Sequence, residues 1–272
     1  MPSKSNKYFL NLIVATLLFL ATFANGFAQE TDTIVPINED PEKILRKIDI
    51  RGITKNGFNF WQDKFTGHWA GVDLGFNTFL NKDYSGYDSE FMDNDILRSN
   101  SIYLNVIQQS IGLQHNRNTI GLVTGLGVQF QNYRLDPNTT IERLPNDVIV
   151  PKELTYHENQ KSKLFIFSLT LPILAEFQIP INNYKNRLYL STGLFLSYRL
   201  GSHTKIKYKT DKKEKLKVPD HYSMHNFKYG LMFRAGYRWI NVFATYEFTP
   251  LFKENKGPEL TPFTFGVTLL RF

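Results

Sequence analysis

Eight segments of the chain alternate apolar residues with small or polar residues at a period of two. This period is that of a β-strand, because successive side chains point to opposite faces of a sheet. Most of the segments exceed the typical strand length of about five or six residues. They are Trp69–Leu80, Ser101–Leu113, Thr119–Gln131, Leu164–Ile179, Arg187–Leu200, Phe227–Trp239, Ile240–Phe252 and Leu260–Phe272.

The alternation slips by one residue in two places. In the second segment the apolar phase changes near Ile107, and in the last segment it changes near Leu269 or Leu270. A one-residue slip within a strand is typical of a β-bulge, where one extra residue is inserted opposite the partner strand. We therefore expect bulges at both positions.

The spacers between the segments alternate in length. The stretches 81–100, 132–160 and 201–225 are long, whereas the spacers between them are short. This alternation predicts an antiparallel up-and-down meander with its long loops at one end, as in outer-membrane barrels. An even number of strands would place both termini on the same, periplasmic side.

The composition of the two faces indicates which solvent surrounds the sheet. In a soluble sandwich the polar face meets water and carries many charges. Here that face is mostly Gly, Ser, Thr, Asn and Gln, and the apolar face is bulky throughout. The pattern favours an all-β fold, an eight-stranded antiparallel up-and-down transmembrane β-barrel, over the alternative of a soluble sandwich or lipocalin-like barrel.

The N-terminal part differs from the rest. Residues 1–28 predict a signal peptide, with Lys4 and Lys7 before an apolar stretch and small residues before Gln29. An uncleaved anchor is the alternative. Residues 29–66 are polar at their start and predict a periplasmic tether, which leaves 67–272 as the barrel domain. The predicted location is the bacterial cell outer membrane with both termini in the periplasm.

Charge and cysteine usage exclude some classes of function. The chain has no cysteine, so neither disulfides nor thiolate chemistry is available. Most of the net charge of +7 comes from the stretch Lys205–Lys217. This concentration argues against nucleic acid as a partner and predicts a solvated loop. We expect that loop to face the anionic phosphates of outer-membrane lipids and lipopolysaccharide.

Three stretches resemble the outer-membrane β-barrel domain of PorT-like proteins of Bacteroidota. They are GHWAGVDLGFNTFLN (67–81), GLVTGLGVQF (121–130) and the terminal Phe272. The resemblance implies that Phe272 is a C-terminal insertion signal and that the barrel assembly machinery is a partner. It also implies an outer-membrane role, with type IX secretion components among the expected partners.

Five charged residues fall on the inward, polar faces of the predicted strands. An eight-stranded barrel is just wide enough to be filled by side chains, and charges buried there need partners. We therefore expect ion pairs that join an arginine to an acid and form a structural plug; a gate or narrow ion path is the alternative. The residues are Asp73, Glu176, Arg234, Arg238 and Glu247.

Aromatic residues near the predicted strand ends are expected at the bilayer interface, where one edge of the ring is wet. These interfacial aromatics are Trp69, Tyr198, Tyr229, Tyr237 and Trp239. His68, next to Trp69, is expected at the same level.

The motif DHYSMH is the strongest candidate for chemistry. It brings Asp220, His221, Ser223 and His225 together, which could suit a metal site or a hydrolase. No second acid is fixed near these residues, so we expect no catalytic residue, no metal and no cofactor. The predicted function is a non-enzymatic outer-membrane protein, structural or part of secretion or surface assembly. A small pore or ligand-binding barrel is second, and an enzyme acting on envelope lipid or peptide is third.

Overall fold

The computed structural model describes residues 65–114, 118–135, 138–155, 160–181, 186–209 and 213–271. The predicted signal peptide, nearly all of the predicted tether and the predicted insertion signal Phe272 lie outside the described residues.

Long antiparallel strands dominate the described part of the chain. Among the described residues, the helical element is a single 3-10 turn, Ile96–Arg98. No helix in this part of the chain has the length and apolarity needed to cross a membrane. The strands are β1 (Gly71–Asp83), β2 (Asn100–Gly112), β3 (Ile120–Arg134), β4 (Thr139–Arg143), β5 (Ile149–Glu153), β6 (Lys161–Ile181), β7 (Asn186–Lys209), β8 (Lys213–Pro219), β9 (Phe227–Tyr237), β10 (Ile240–Glu247) and β11 (Glu259–Arg271).

Eight of these strands close into a ring. The order around it is β6-β3-β2-β1-β11-β10-β9-β7, and pairing between β6 and β7 completes it. Every neighbouring pair is antiparallel, and β1 and β11 form the seam between the first and last strands. The predicted eight-stranded antiparallel up-and-down barrel is therefore confirmed. A ninth strand, β8, adds to the end of β7 outside the ring.

Both predicted bulges are present. The β2–β3 register shifts between Asn105 and Ile107. In the seam, Val72 pairs with Leu270 while Asp73 pairs with Thr268, so Leu269 is the extra residue. Each bulge takes up one extra residue, so the apolar side chains before and after it lie on the same face of the sheet.

The ring is polar inside and apolar outside. Its buried inward side chains are mainly Ser, Thr, Asn, Gln and a few charged residues, beside one apolar cluster, whereas many Leu, Ile, Val and Phe side chains are exposed on the outer surface. The cluster consists of Phe65, Trp69, Val123, Leu174, Phe195 and Met232. Typical outward residues are Leu171, Leu194 and Leu231, which are each between 39% and 52% exposed. This is the arrangement of a barrel whose outer wall meets hydrocarbon chains.

The long loops fold over one mouth of the ring and have a hydrophobic core of their own. The β4–β5 hairpin, the loop after β1 and the segments around 220–226 and 248–258 all contribute to it. We call this region the dome. The fully or almost fully buried core side chains are Phe79, Phe91, Met92, Tyr133, Leu135, Ile141, Ile149, Leu164, Ile166, Tyr222, Met224, Leu251, Phe252 and Leu260.

The basic stretch Lys205–Lys217 is not the loop that the sequence predicts. Its described residues form the end of β7 and most of β8, which pair as a hairpin from His203–Pro219 to Lys209–Lys213. The reason is packing: Ile206 is almost fully buried, with Leu216 and Val218 half-exposed near it on the dome side. In the sequence, lysines alternate with these apolar residues, and their number led to the prediction of a solvated loop.

Candidate functional site

A fully buried ion pair lies in the lower half of the barrel, towards the short turns. Arg234 on β9 donates two hydrogen bonds to Asp73 on β1, at 2.7 and 3.0 Å. Asn105 and Thr268 donate to the same carboxylate at 2.7 and 2.6 Å. Both charged side chains are 1% exposed. A bidentate pair with further donors is the geometry that makes a buried carboxylate and guanidinium tolerable.

Trp69 covers this ion pair. The guanidinium carbon of Arg234 lies 5.3 Å from the centre of the Trp69 ring, which is the distance of a cation–π contact. The ring is completely buried and fits against Gly125, where a Cβ atom would approach it to 2.6 Å. Phe65 fits against Gly121 in the same way. Glycines on the inner wall of β3 therefore make room for the segment before β1.

A second buried acid, Glu176 on β6, lies near the same end. His68 Nδ1 is 2.5 Å from Glu176 Oε1, and the His68 backbone N–H donates to Oε2 at 3.0 Å. Ser191 and Gln178 donate to the carboxylate at 2.7 Å each. The imidazole ring stacks on Tyr189 with 4.2 Å between centroids. These contacts tie the segment before β1 to the opposite wall of the barrel.

A third pair closes the upper half of the barrel, below the dome. Lys228 Nζ donates to Glu247 Oε2 at 2.6 Å, and both side chains are 3% exposed or less. Gln131 approaches the other carboxylate oxygen at 3.5 Å. In the described part of the chain, each buried carboxylate in the ring thus has one cationic or histidine partner.

The structure brings together only part of the predicted interior set. Asp73 pairs with Arg234, as the expected combinations include, but Glu176 and Glu247 take His68 and Lys228 as partners. Lys228 has the same parity as Arg234 on β9, so the alternation itself could have found it. His68 precedes the first strand, where alternation gives no information.

Arg238 is not an interior residue. Tyr237 pairs directly with Ile240, which leaves Arg238 and Trp239 as a two-residue turn at the mouth opposite the dome. Arg238 has a positive φ of 57°, as tight hairpin turns require, and it is exposed. Its guanidinium stacks on Trp239 at 5.2 Å. The sequence prediction continued the strand alternation through this turn and was wrong for Arg238.

Trp69 is not an interfacial aromatic either, because its side chain is inside the ring. Trp69 lies two residues before Gly71 and four before Asp73, so the alternation places it on the same inward side as those two residues. The other four residues lie on the outer surface near the two rims. Tyr237 and Trp239 lie at the rim opposite the dome, and the register places Tyr198 and Tyr229 near the dome rim.

The DHYSMH motif belongs to the dome, where its polar groups already have partners. Arg143 donates to Asp220 at 2.8 Å and to Asp147 at 2.5 Å. The Ser223 hydroxyl donates to the backbone carbonyl of Asp147, and its N–H donates to His221 Nδ1. Burial raises the pKa of the Asp220 carboxyl, but the hydrogen bonds from Arg143 and from the His221 N–H, together with the positive charge of Arg143, leave the pKa below its ordinary value.

This arrangement differs from that of a catalytic triad. The Ser223 hydroxyl is buried and directed at a carbonyl, whereas a nucleophile must donate to a base. Burial and the nearby Lys253 and Lys228 lower the pKa of His225. Among the described residues, no group of three or more His, Cys, Asp and Glu side chains could hold a metal ion.

An open pocket of about 950 Å³ lies on the dome surface. Its walls come from the loop after β1, from β5 and from the loop between β10 and β11. Tyr87 and Phe252 supply aromatic surface, and Asp83, Asp88 and Glu254 supply carboxylates. The pocket could hold a small polar ligand by its size alone.

Comparison with known proteins identifies the family. The outer membrane protein beta-barrel domain matches residues 54–254, which is more than half of the 272 residues. The match spans β1 to β10 and ends before β11. No curated protein and no solved structure matches the chain. The closed ring of eight strands with an apolar outer wall is consistent with that description, and the chain belongs to the outer membrane protein beta-barrel domain family.

Proposed function

We propose that this outer-membrane barrel is a non-conducting, non-enzymatic scaffold for a surface-assembly or secretion complex. The observation that carries the proposal is the filled interior. Buried ion pairs lie at two levels of the ring, the segment 65–70 packs among them, and the hydrophobic dome covers one mouth. A barrel filled in this way offers its surfaces, and not its interior, for function.

The resemblance to PorT-like proteins supports the choice of a secretion or assembly complex. On this proposal both termini lie in the periplasm, since the seam brings β1 and β11 to the same rim, at the end opposite the dome. The segment 29–64 would then contact periplasmic partners, while the dome would face outward.

Conductance in planar bilayers tests the filled interior. We expect the intact protein to give no steady current. The matched comparison is a variant with Trp69→Ala and Phe65→Ala, which empties space beside Gly125 and Gly121 and should raise leakage. A steady open pore in the unaltered protein would contradict the proposal.

Partner capture tests the assembly role. The full chain, tagged and cross-linked in its native envelope, should retain specific proteins. A variant that lacks residues 30–60 but still shows heat-modifiable mobility should lose its periplasmic partners. If both proteins capture the same partners, the tether has no part in assembly.

A ligand-binding barrel is the second candidate, and the pocket beside Tyr87 and Phe252 favours it. Binding of a small ligand there would be lost in Tyr87→Ala without a loss of folding.

We propose no hydrolytic role for the dome. An envelope hydrolase activity that disappears in His221→Ala and His225→Ala would overturn that part of the proposal.

A further inference from the structure

Four cations from four neighbouring strands lie in one row on the outer face of the sheet. The register pairs Arg134 on β3 with Lys163 on β6, Lys163 with Lys205 on β7, and Lys205 with Lys217 on β8. Four adjacent strands span about 14 Å at the usual spacing of ~4.8 Å. We call this set of four residues the cation row.

A second set of lysines extends the positive charge by one more row towards the hairpin tip. Lys161 pairs with Lys207, and Lys207 pairs with Lys215. In the described part of the chain, none of these seven cations lies within 4 Å of a carboxylate. Glu214, the described acid of the hairpin, accepts a hydrogen bond from Tyr208. Both residues alternate with the lysines along their strands and therefore belong to the other face of the hairpin.

Like charges placed directly opposite each other destabilise an antiparallel sheet. An acid opposite each lysine would stabilise the pairing, yet this sheet repeatedly places lysine opposite lysine. On the opposite face Ile206 is buried against the dome and pairs with the more exposed Leu216, and this packing of Ile206 holds the register that aligns the lysines. An anion held in front of the row would convert this repulsion into attraction.

The surface next to the cation row is aromatic and apolar. Two residues along β6 from Lys163, Phe165 lies next to His203, with 4.6 Å between ring centroids. Phe167 stacks on Phe130 at 5.0 Å on the same outer face. Below these rings the outer wall continues with aliphatic residues such as Leu171. A molecule that covers both zones needs an anionic head and apolar chains.

We propose that the cation row binds the phosphorylated headgroup of an outer-leaflet lipid, with the acyl chains against the phenylalanines below. The width of the row suits a glycolipid headgroup with two separated phosphates better than a single phosphate group. Arg134 can bind one phosphate with two hydrogen bonds, and the lysines act as point charges. This inference rests on a membrane-spanning barrel whose dome faces outward, the orientation given with the proposed function, and does not depend on the scaffold role.

Lipid binding by the full chain in neutral detergent tests the site. The probes are a synthetic disaccharide lipid with two phosphates, the same lipid without phosphates, and inorganic phosphate. Native mass spectrometry gives the dissociation constant of each. We expect the triple variant K163Q/K205Q/K217Q to bind the phosphorylated lipid at least about tenfold more weakly, and K163R/K205R/K217R to bind it normally.

The matched control is K82Q/K152Q/K253Q, which removes the same charge from the dome. Lys82 and Lys152 already pair with Asp93 and Glu142, so this variant should bind as the unaltered protein does. Equal losses in both triple variants would reduce the effect to net charge and overturn the proposal. Equal affinity for the phosphate-free lipid, or full displacement by millimolar inorganic phosphate, would also overturn it. Heat-modifiable mobility confirms that each variant is folded.

Discussion

Several strands run from the ring into the dome, and the polarity of their two faces is opposite in the two regions. In the ring, β6 directs Ser168 and Thr170 inward and Leu171 outward. In the dome, the same strand directs Leu164 and Ile166 inward and Lys163 outward. The β6–β7 register shifts between Phe167 and Ser168, at the point where the polarity changes. The residues that face outward thus change from apolar to charged within one strand.

This inversion shows that the surrounding medium selects the pattern. Outside the ring is hydrocarbon, so the apolar side chains face outward and the polar ones must find partners inside. Outside the dome is water, so its apolar side chains are buried as in any soluble protein. The two regions therefore respond differently to mutation, and the following experiments use that difference.

The largest effect is expected inside the ring. Asp73→Ala leaves Arg234 charged and buried without its carboxylate, which should reduce the free energy of unfolding by about 3–5 kcal/mol. Urea unfolding in lipid vesicles, followed by tryptophan fluorescence, measures it. The double variant Asp73→Ala/Arg234→Met should recover part of the loss. If the single and double variants were equally stable, the ion pair would not be the cause.

In the dome the vulnerable groups are apolar. Leu251 is fully buried there, and Leu251→Ala should cost about 2–5 kcal/mol of local stability through the cavity it leaves. Limited proteolysis in intact vesicles should then cut the dome faster, while the ring keeps its heat-modifiable mobility. Leu97→Ala is the control, because Leu97 is 80% exposed. Loss of the whole barrel in Leu251→Ala would show that ring and dome unfold together.

The outer wall should tolerate charge only near the rim. Leu194→Arg places a cation on the middle of the apolar wall and should cost about 2–4 kcal/mol, whereas Leu200→Arg, six residues closer to the cation row on β7, should cost about 0–1 kcal/mol. Folding into vesicles at graded urea concentrations compares the two variants. Equal costs would contradict the placement of Leu194 in the middle of the apolar wall and of Leu200 at its edge.

The smallest effect is a pH dependence of the dome. Because the pKa of Asp220 is lower in the folded state than its ordinary value of 3.8, the Arg143–Asp220 contact stabilises the dome fully above that value. The contribution is lost as the pH falls from about 3.8 through the folded-state pKa. Protease sensitivity of the dome should therefore rise in that range. In Asp220→Asn this acid-induced step should be absent.

The sequence was informative wherever alternation is strict. The eight ring strands and both bulges follow from a period of two, because one face of each strand meets lipid and the other meets the interior. The pairing order of the ring follows from the alternating spacer lengths, whereas β4, β5 and β8 were not predicted. The inward position of Asp73, Glu176, Arg234 and Glu247 follows from the same parity.

Prediction failed where a strand ends and where the type of a residue suggested a different location from its position in the alternation. Arg238 lies in a turn of two residues, and because the alternation continues through that turn, the sequence placed the end of the strand at Trp239 and not at Tyr237. Trp69 was assigned to the interface because large aromatics are common there, although its parity pointed inward. The dome core could not be predicted, since Met92, Ile149 and Leu251 meet only through contacts far apart in sequence. Likewise, the cation row becomes visible only when four strands are placed in register.

The seam between β1 and β11 has a consequence for biogenesis. Gly71 at the start of β1 pairs with Arg271 at the end of β11, two hundred residues later in the chain. Until β11 has been synthesised and exported, both edge strands of the open sheet carry unpaired backbone N–H and C=O groups that hydrocarbon cannot solvate. The barrel can therefore close only after β11 has been synthesised and exported, and a product truncated before β11 would keep two open sheet edges.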